Sequence, residues 1–224
     1  MNIYLLSSGI KNYIIDAERS FAMMTNEERL ESLLQHLDRL DRIRVEDIPQ
    51  IDLYMDQVTT FMEKHLGEMK RYPDDKVLTK TMINNYAKNN LLPAPVRKKY
   101  TQEHIILLVF IYYFKNLLNF NDIETILSYI TEHHFGEESL PLSDVYTEIF
   151  KMEHGQMERL KEDVRTKFET ARGTFQDVED DSSREGLQLF SFICELAFDV
   201  YLKKQMIERI TDELRAENPP KKKK

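Results

Sequence analysis

Between Glu103 and Lys115 the chain reads Ile105-Ile106-Leu107-Leu108-Val109-Phe110-Ile111 and continues through Tyr112, Tyr113 and Phe114 without a Lys, Arg, Asp or Glu. A helix that is apolar on every side has to be enclosed by other elements. The run is about half as long as a membrane crossing requires, so the enclosure is expected to be protein. Periodicity alone leaves a buried strand open here. Continuation through Leu117 and Leu118 is too long for a usual strand, and predicts a central buried helix over 102–118, capped by Thr101.

The rest of the chain supplies helices to cover it. Leu30, Leu33, Leu34, Leu37 and Leu40 predict a helix near 26–43, opened by the capping-box pair Thr25 and Glu28. Ile51, Tyr54, Met55, Val58, Phe61 and Met62 predict a second, from about Pro49 to Leu66, with Gly67 as a left-handed cap. A short helix follows over 79–90, stopped by Pro93. Another is expected over 122–133, capped by Asn121-Asp122, then two long ones over 143–172 and 183–216. With only 6 Gly and 7 Pro, turns are too scarce for a sandwich or barrel. A single cysteine excludes an internal disulfide. No basic region precedes the apolar residues of 1–15, so no secretory signal is visible. The expectation is an all-α helical bundle, cytoplasmic and without a membrane segment.

Four regions are expected. Residues 1–23 read as a non-native or poorly packed extension, because Met24-Thr25-Asn26-Glu27-Glu28 resembles a fresh start at Met23 or Met24. Residues 24–135 form a helix-turn-helix-like domain, 136–217 a C-terminal helical region for dimerisation or sensing, and 218–224 a disordered basic tail.

The net charge of -8 disfavours nucleic acid for the chain as a whole, but the charge is unevenly placed. Lys64 to His104 carries nine Lys/Arg and four Asp/Glu, a balance of +5. Asn121 to Glu185 carries seven and seventeen, a balance of -10. A local basic surface on an acidic protein is thereby available. It coincides with the most informative segment, Leu78 to His104. There the 79–90 helix turns Met82, Ile83 and Tyr86 one way and Lys80, Asn84 and Lys88 the other. A Pro stop and a basic loop with Arg97, Lys98 and Lys99 come next. Asparagine can bond adenine through both donor and acceptor in the major groove, and lysine or arginine neutralises phosphates.

These residues resemble the winged helix-turn-helix of the MerR family of bacterial regulators. Tyr86 resembles the tyrosine of its recognition helix, Leu91-Leu92-Pro93 its stop, Arg97 to Tyr100 its wing, and Phe120 to Leu127 its final helix start. The connection Gly67 to Leu78 is longer than the usual turn, the wing is short, and Asn85 stands where that family has the first of two tyrosines. The resemblance implies double-stranded DNA as partner. Lys80, Asn84, Asn85 and Lys88 would face the groove and Arg97, Lys98 and Lys99 the phosphates. Tyr86 and Tyr100 would mostly pack. It also implies a homodimer through C-terminal helices and an effector that the sequence does not identify. Residues 46–215 are further similar to an uncharacterised family of Gram-positive bacterial proteins, known only as a domain of unknown function.

Nothing in the sequence points to catalysis or to a cofactor. His133-His134 beside Glu132 lacks a second ligand cluster. Asp177, Glu179 and Asp181 begin like a calcium loop, but Ser182 and Gln188 stand where it needs Gly and Glu. Cys194 reads as an inert thiol on an apolar helix. Two readings stay open: a MerR-like DNA-binding transcriptional regulator, or an all-helical protein-protein interaction module that keeps the scaffold without binding DNA.

Overall fold

A computed structural model describes residues 24–40, 42–137, 139–152 and 154–218. The extension read over 1–23 and the basic tail beyond Asn218 lie outside the described residues. The chain is mostly helical: α1 (Asn26–Arg39), α2 (Met55–Leu66), α3 (Lys80–Lys88), α4 (Gln102–Phe114), α5 (Phe120–His133), α6 (Leu142–Lys151), α7 (His154–Arg172) and α8 (Asp181–Glu217). Two short strands, β1 (Leu53–Tyr54) and β2 (Lys99–Tyr100), pair antiparallel. None of the described helices is long and apolar enough to cross a membrane.

The described residues fall into two compact units. The first takes residues 24–39 and 160–196. Its core is Leu34 of α1, Val164, Phe168 and Ala171 of α7, and Phe192 of α8, with Phe168 and Phe192 meeting edge to face at 5.4 Å. Thr25 and Glu28 close α1 reciprocally: the Thr25 amide donates to Glu28 Oε2 (2.8 Å) and the Glu28 amide to Thr25 Oγ1 (3.2 Å). Lys161, almost buried, is ion-paired with Asp38.

The second unit takes residues 40–159 and 197–218. At its centre lies α4, with every residue from His104 to Tyr112 buried. Leu53, Val58, Met62, Leu66, Ile83, Tyr86, Ile123, Leu127, Leu142 and Tyr146 join α4 in one apolar core. Tyr146 Oη donates to the Ile43 carbonyl at 2.5 Å. Lys115, just past the end of α4, donates to the Val77 carbonyl (2.7 Å) and lies 4.7 Å over the Tyr112 ring. Burial holds its ammonium pKa below the ordinary lysine value.

Several boundaries differ from the sequence reading, each for a local reason. The first helix ends at Arg39 because Ile43 is spent in the core of the second unit. The second starts at Met55 instead of Pro49, since Leu53–Tyr54 is drawn into pairing with β2. Gly67 is right-handed (φ -62°), and the chain tightens into a 3-10 turn over Gly67–Met69. The cap of α5 is Asn119, whose side chain accepts from the Asp122 amide at 3.0 Å. The single helix expected over 143–172 is two, α6 and α7, which feed different cores, and Gly155 weakens the helix near their junction.

Candidate nucleic-acid interface

Helix α3 is anchored from behind. Ile83 and Tyr86 are buried, while Lys80, Thr81, Asn84, Asn85 and Lys88 are exposed. Residues 80, 84 and 88 form one row along the outer face, and 81 and 85 the next. The start is fixed by Thr79, whose hydroxyl accepts from the Met82 amide at 3.2 Å. The end comes before Pro93. Asn90 takes the left-handed conformation (φ 63°), and the amides of Asn90 and Leu91 fold back onto the carbonyls of Ala87 (3.4 Å) and Tyr86 (2.9 Å). That is a Schellman cap, with buried Leu91 beside Tyr86 as its apolar contact. Asn90 is therefore where the helix stops, three residues before the Pro93 that the sequence reading named.

The long connection into α3 is pinned by Glu63 of α2. Its carboxylate accepts from Lys70 Nζ at 2.5 Å and from the Val77 amide at 3.3 Å, so both ends of the connection hang on one side chain. Lys70 first, and the Val77 amide with it, hold the Glu63 carboxyl below its ordinary value. Sequence reasoning missed Glu63, because nothing local marks a carboxylate that reaches seven and fourteen residues ahead.

The basic loop is a tight hairpin. Val96 bridges Lys99, whose amide donates to the Val96 carbonyl at 3.0 Å. The two central residues, Arg97 (φ 51°) and Lys98 (φ 64°), are both left-handed, as in a type I′ turn. Both side chains are exposed. The following ladder, Leu53 opposite Tyr100 and Tyr54 opposite Lys99, sorts its faces. Leu53 and Tyr100 point into the core; Lys99 lies 5.6 Å over the outward ring of Tyr54.

Tyr86 and Tyr100 are scaffold. Both are buried, and burial raises their phenol pKa values. His104 fastens the hairpin to the buried helix. Its Nδ1 accepts the Thr101 amide (3.1 Å), which places the proton on Nε2, and its ring meets Tyr100 and Phe135 edge-on at 5.5 and 4.9 Å. Nε2 faces the Pro93 and Ala94 carbonyls without a well-aligned bond. Burial keeps the His104 pKa below its ordinary value, the Pro93 carbonyl and Asp52 acting weakly the other way.

Lys80, Lys88, Arg97 and Lys98 are exposed and Lys99 is half-buried. Asp56, in the first turn of α2, is ion-paired with Lys80. This pairing crosses between helices and has no sequence signature. Among the described residues no group of His, Cys, Asp and Glu is arranged to hold a metal ion. His133 and His134 flank the Tyr129 ring at the end of α5.

No curated protein matches the chain, and no solved structure does. A domain of unknown function, DUF1836, is found over residues 43–149, a stretch that lies within the second unit and contains α3, the hairpin and the buried α4.

Proposed function

We propose that the protein is a bacterial, cytoplasmic, MerR-like DNA-binding regulator that lays α3 in the major groove and sets the 96–99 hairpin against the adjoining backbone. The observation that carries this reading is the division of α3. A helix about 10–12 Å wide fits a major groove of about 12 Å. The outer face of α3 offers Asn84 and Asn85 between Lys80 and Lys88, while Ile83 and Tyr86 hold its back. Asparagine amides are suited to adenine edges, the lysines and the hairpin cations to phosphates. Lys80 reaches DNA by leaving Asp56, so it contributes less than the freely exposed Lys88.

A homodimer completes the reading. Helix α8 exposes Phe198 (64%), Tyr201 (58%), Leu202 (59%), Met206 (65%) and Ile210 (57%) within the second unit. Large side chains left open to this extent amount to several hundred Å² of apolar surface, the scale of one side of a standard interface. A second copy is the partner that a palindromic DNA site would match.

The test is selection of bound fragments from genomic DNA by the full chain, followed by affinity measurements across salt concentrations. One enriched motif and a steep salt slope are expected. The pair Lys98→Ala and Lys99→Ala should lower affinity for all sequences alike and flatten the slope by up to about two. No enrichment, with helicity intact, would favour the protein-protein interaction module instead.

A further inference from the structure

A cavity of about 250 Å³ opens in the first unit, where the first turn of α1, the end of α7 and the first two turns of α8 come together. Its floor is apolar: Phe168, buried in the core beside Phe192. Its walls are polar, and side-chain amides hold them. Gln188 donates to the carbonyls of Arg172 (2.8 Å) and Thr174 (3.0 Å). Gln176 donates to the Arg172 carbonyl (2.7 Å), and Asn26 to that of Glu185 (3.0 Å). Each amide is spent as a donor, and its oxygen has no partner among the described residues.

Four charges line the cavity. Arg184 is committed: it donates to the Val178 carbonyl at 2.8 Å and is ion-paired with Asp181. Arg172 is held loosely. Its Nε lies 3.4 Å from Glu27 and its Nη1 3.8 Å from Glu169, in exposed pairings of the kind that are worth little. The Glu185 carboxylate has no hydrogen bond or ion pair among the described residues. The cavity thus offers one available guanidinium and, in Glu27 and Glu185, two carboxylates, above an apolar floor. Two arginines against two glutamates leave the lining neutral, which suits neither a polyanion nor a polycation. The volume equals that of about eight waters, enough for a molecule of about ten heavy atoms and too little for a nucleotide.

We propose that this cavity is a binding site for a free α-amino acid with a polar side chain. Its carboxylate sits on Arg172, its ammonium on Glu185, and its side chain over Phe168 against the amide oxygens of Gln176 and Gln188. A guanidinium can meet a carboxylate through two parallel N–H donors. An ammonium has only donors and needs the acceptors that Glu185 and Glu27 supply. The site lies outside residues 43–149 and is independent of DNA binding.

The test is isothermal titration calorimetry on the full chain with L-glutamine, L-asparagine and L-serine as probes. Two blocked forms of the best probe are added: the N-acetyl derivative, which has no ammonium, and the C-terminal amide, which has no carboxylate. At least one probe is expected to bind one-to-one, and each blocked form at least tenfold more weakly. Arg172→Gln and Glu185→Gln alter exposed side chains and should keep helicity and melting temperature. Each is expected to weaken the unblocked amino acid by about tenfold or more, as the loss of one charge-assisted bond would. Arg172→Gln should leave the affinity for the C-terminal amide unchanged, because that ligand has no carboxylate to lose. The absence of binding by all three probes at millimolar concentration overturns the proposal. So does a blocked form that binds as well as its parent, whatever the two variants do. Binding that is unaffected by both substitutions overturns the placement in this cavity.

Discussion

Arg215 Nη2 lies 2.6 Å from Asp122 Oδ1, and this pair ties the last turn of α8 to the first turn of α5. The carboxylate is almost wholly buried. Its second oxygen accepts from Asn119 Nδ2 at 2.6 Å, and Arg215 also reaches Thr125 Oγ1 at 3.3 Å. A buried carboxylate with one partner removed is costly. Arg215→Ala is therefore expected to destabilise the second unit by about 2–3 kcal/mol, less than for a fully enclosed pair because the guanidinium is one-third exposed. Asp122→Asn, which keeps hydrogen bonding, should cost less. Urea denaturation followed by circular dichroism checks both; equal midpoints for Arg215→Ala and the parent would show the pair to be idle.

The Glu63 clasp makes the approach to α3 sensitive to acid. Its carboxyl is held below the ordinary glutamate value of 4.5, so the unfolded chain takes up the proton first as pH falls. The stabilisation is complete above 4.5 and is lost as pH drops through the lower, folded value. The Val77 amide resonance is expected to report this titration. In Glu63→Gln the Lys70 partner is left without its counter-charge, and DNA affinity should fall although no residue of α3 has changed. An affinity equal to that of the parent would separate the clasp from binding.

His104 acts in the same direction at a higher pH. Burial holds its pKa below 6.5, so below about that pH the unfolded chain binds more protons than the folded one. Stability is expected to be full above 6.5 and to decline as pH falls toward the folded pKa. The decline should be missing from His104→Gln, whose amide cannot protonate. Melting temperatures at paired pH values decide it: the same slope in both proteins would assign the effect to another group.

Relaxing the hairpin should separate stability from binding. Replacing Arg97 by Asn and Lys98 by Gly supplies the residues the turn favours, and is expected to stabilise the second unit by about 1–2 kcal/mol. The same change removes two cations, so DNA affinity should drop and its salt slope should flatten by up to about two. A protein that gains stability and keeps its affinity would show the turn to be irrelevant to DNA.

If α8 pairs two copies, a charge on its apolar face should part them. Phe198→Asp with Met206→Asp is expected to give a single-chain mass by light scattering with unchanged helicity. A single-chain mass for the parent at micromolar concentration would count against the dimer.

Much of this architecture was legible because its signals are local. The apolar run at Ile105–Ile111 announced the buried α4, and Thr25 with Glu28 announced the start of α1. The outward row Lys80, Asn84, Lys88 followed from spacing alone, and the exposed side chains occupy it. What escaped was long-range. A two-residue strand such as Leu53–Tyr54 has no period to detect and exists only because Lys99–Tyr100 pairs with it. Asp122 looked like a helix cap, but its partner is ninety-three residues away. Asp56 and Glu63 shape the site through side chains whose targets no pattern names. The left-handed turn at Arg97 and Lys98 escaped for the reverse reason: its residues argue against the conformation they adopt.

The enclosure of α4 has a counterpart outside the native state. From Ile105 to Phe114 the chain has no charge and no proline, and it is rich in branched and aromatic residues. Once the covering helices open, this stretch has the makings of a cross-β nucleus, guarded only by Glu103 and Lys115 at its ends. Recovery from heat or denaturant is thus a race between re-covering α4 and self-association. The yield of refolding should fall with protein concentration well before the stability of the folded chain is exhausted.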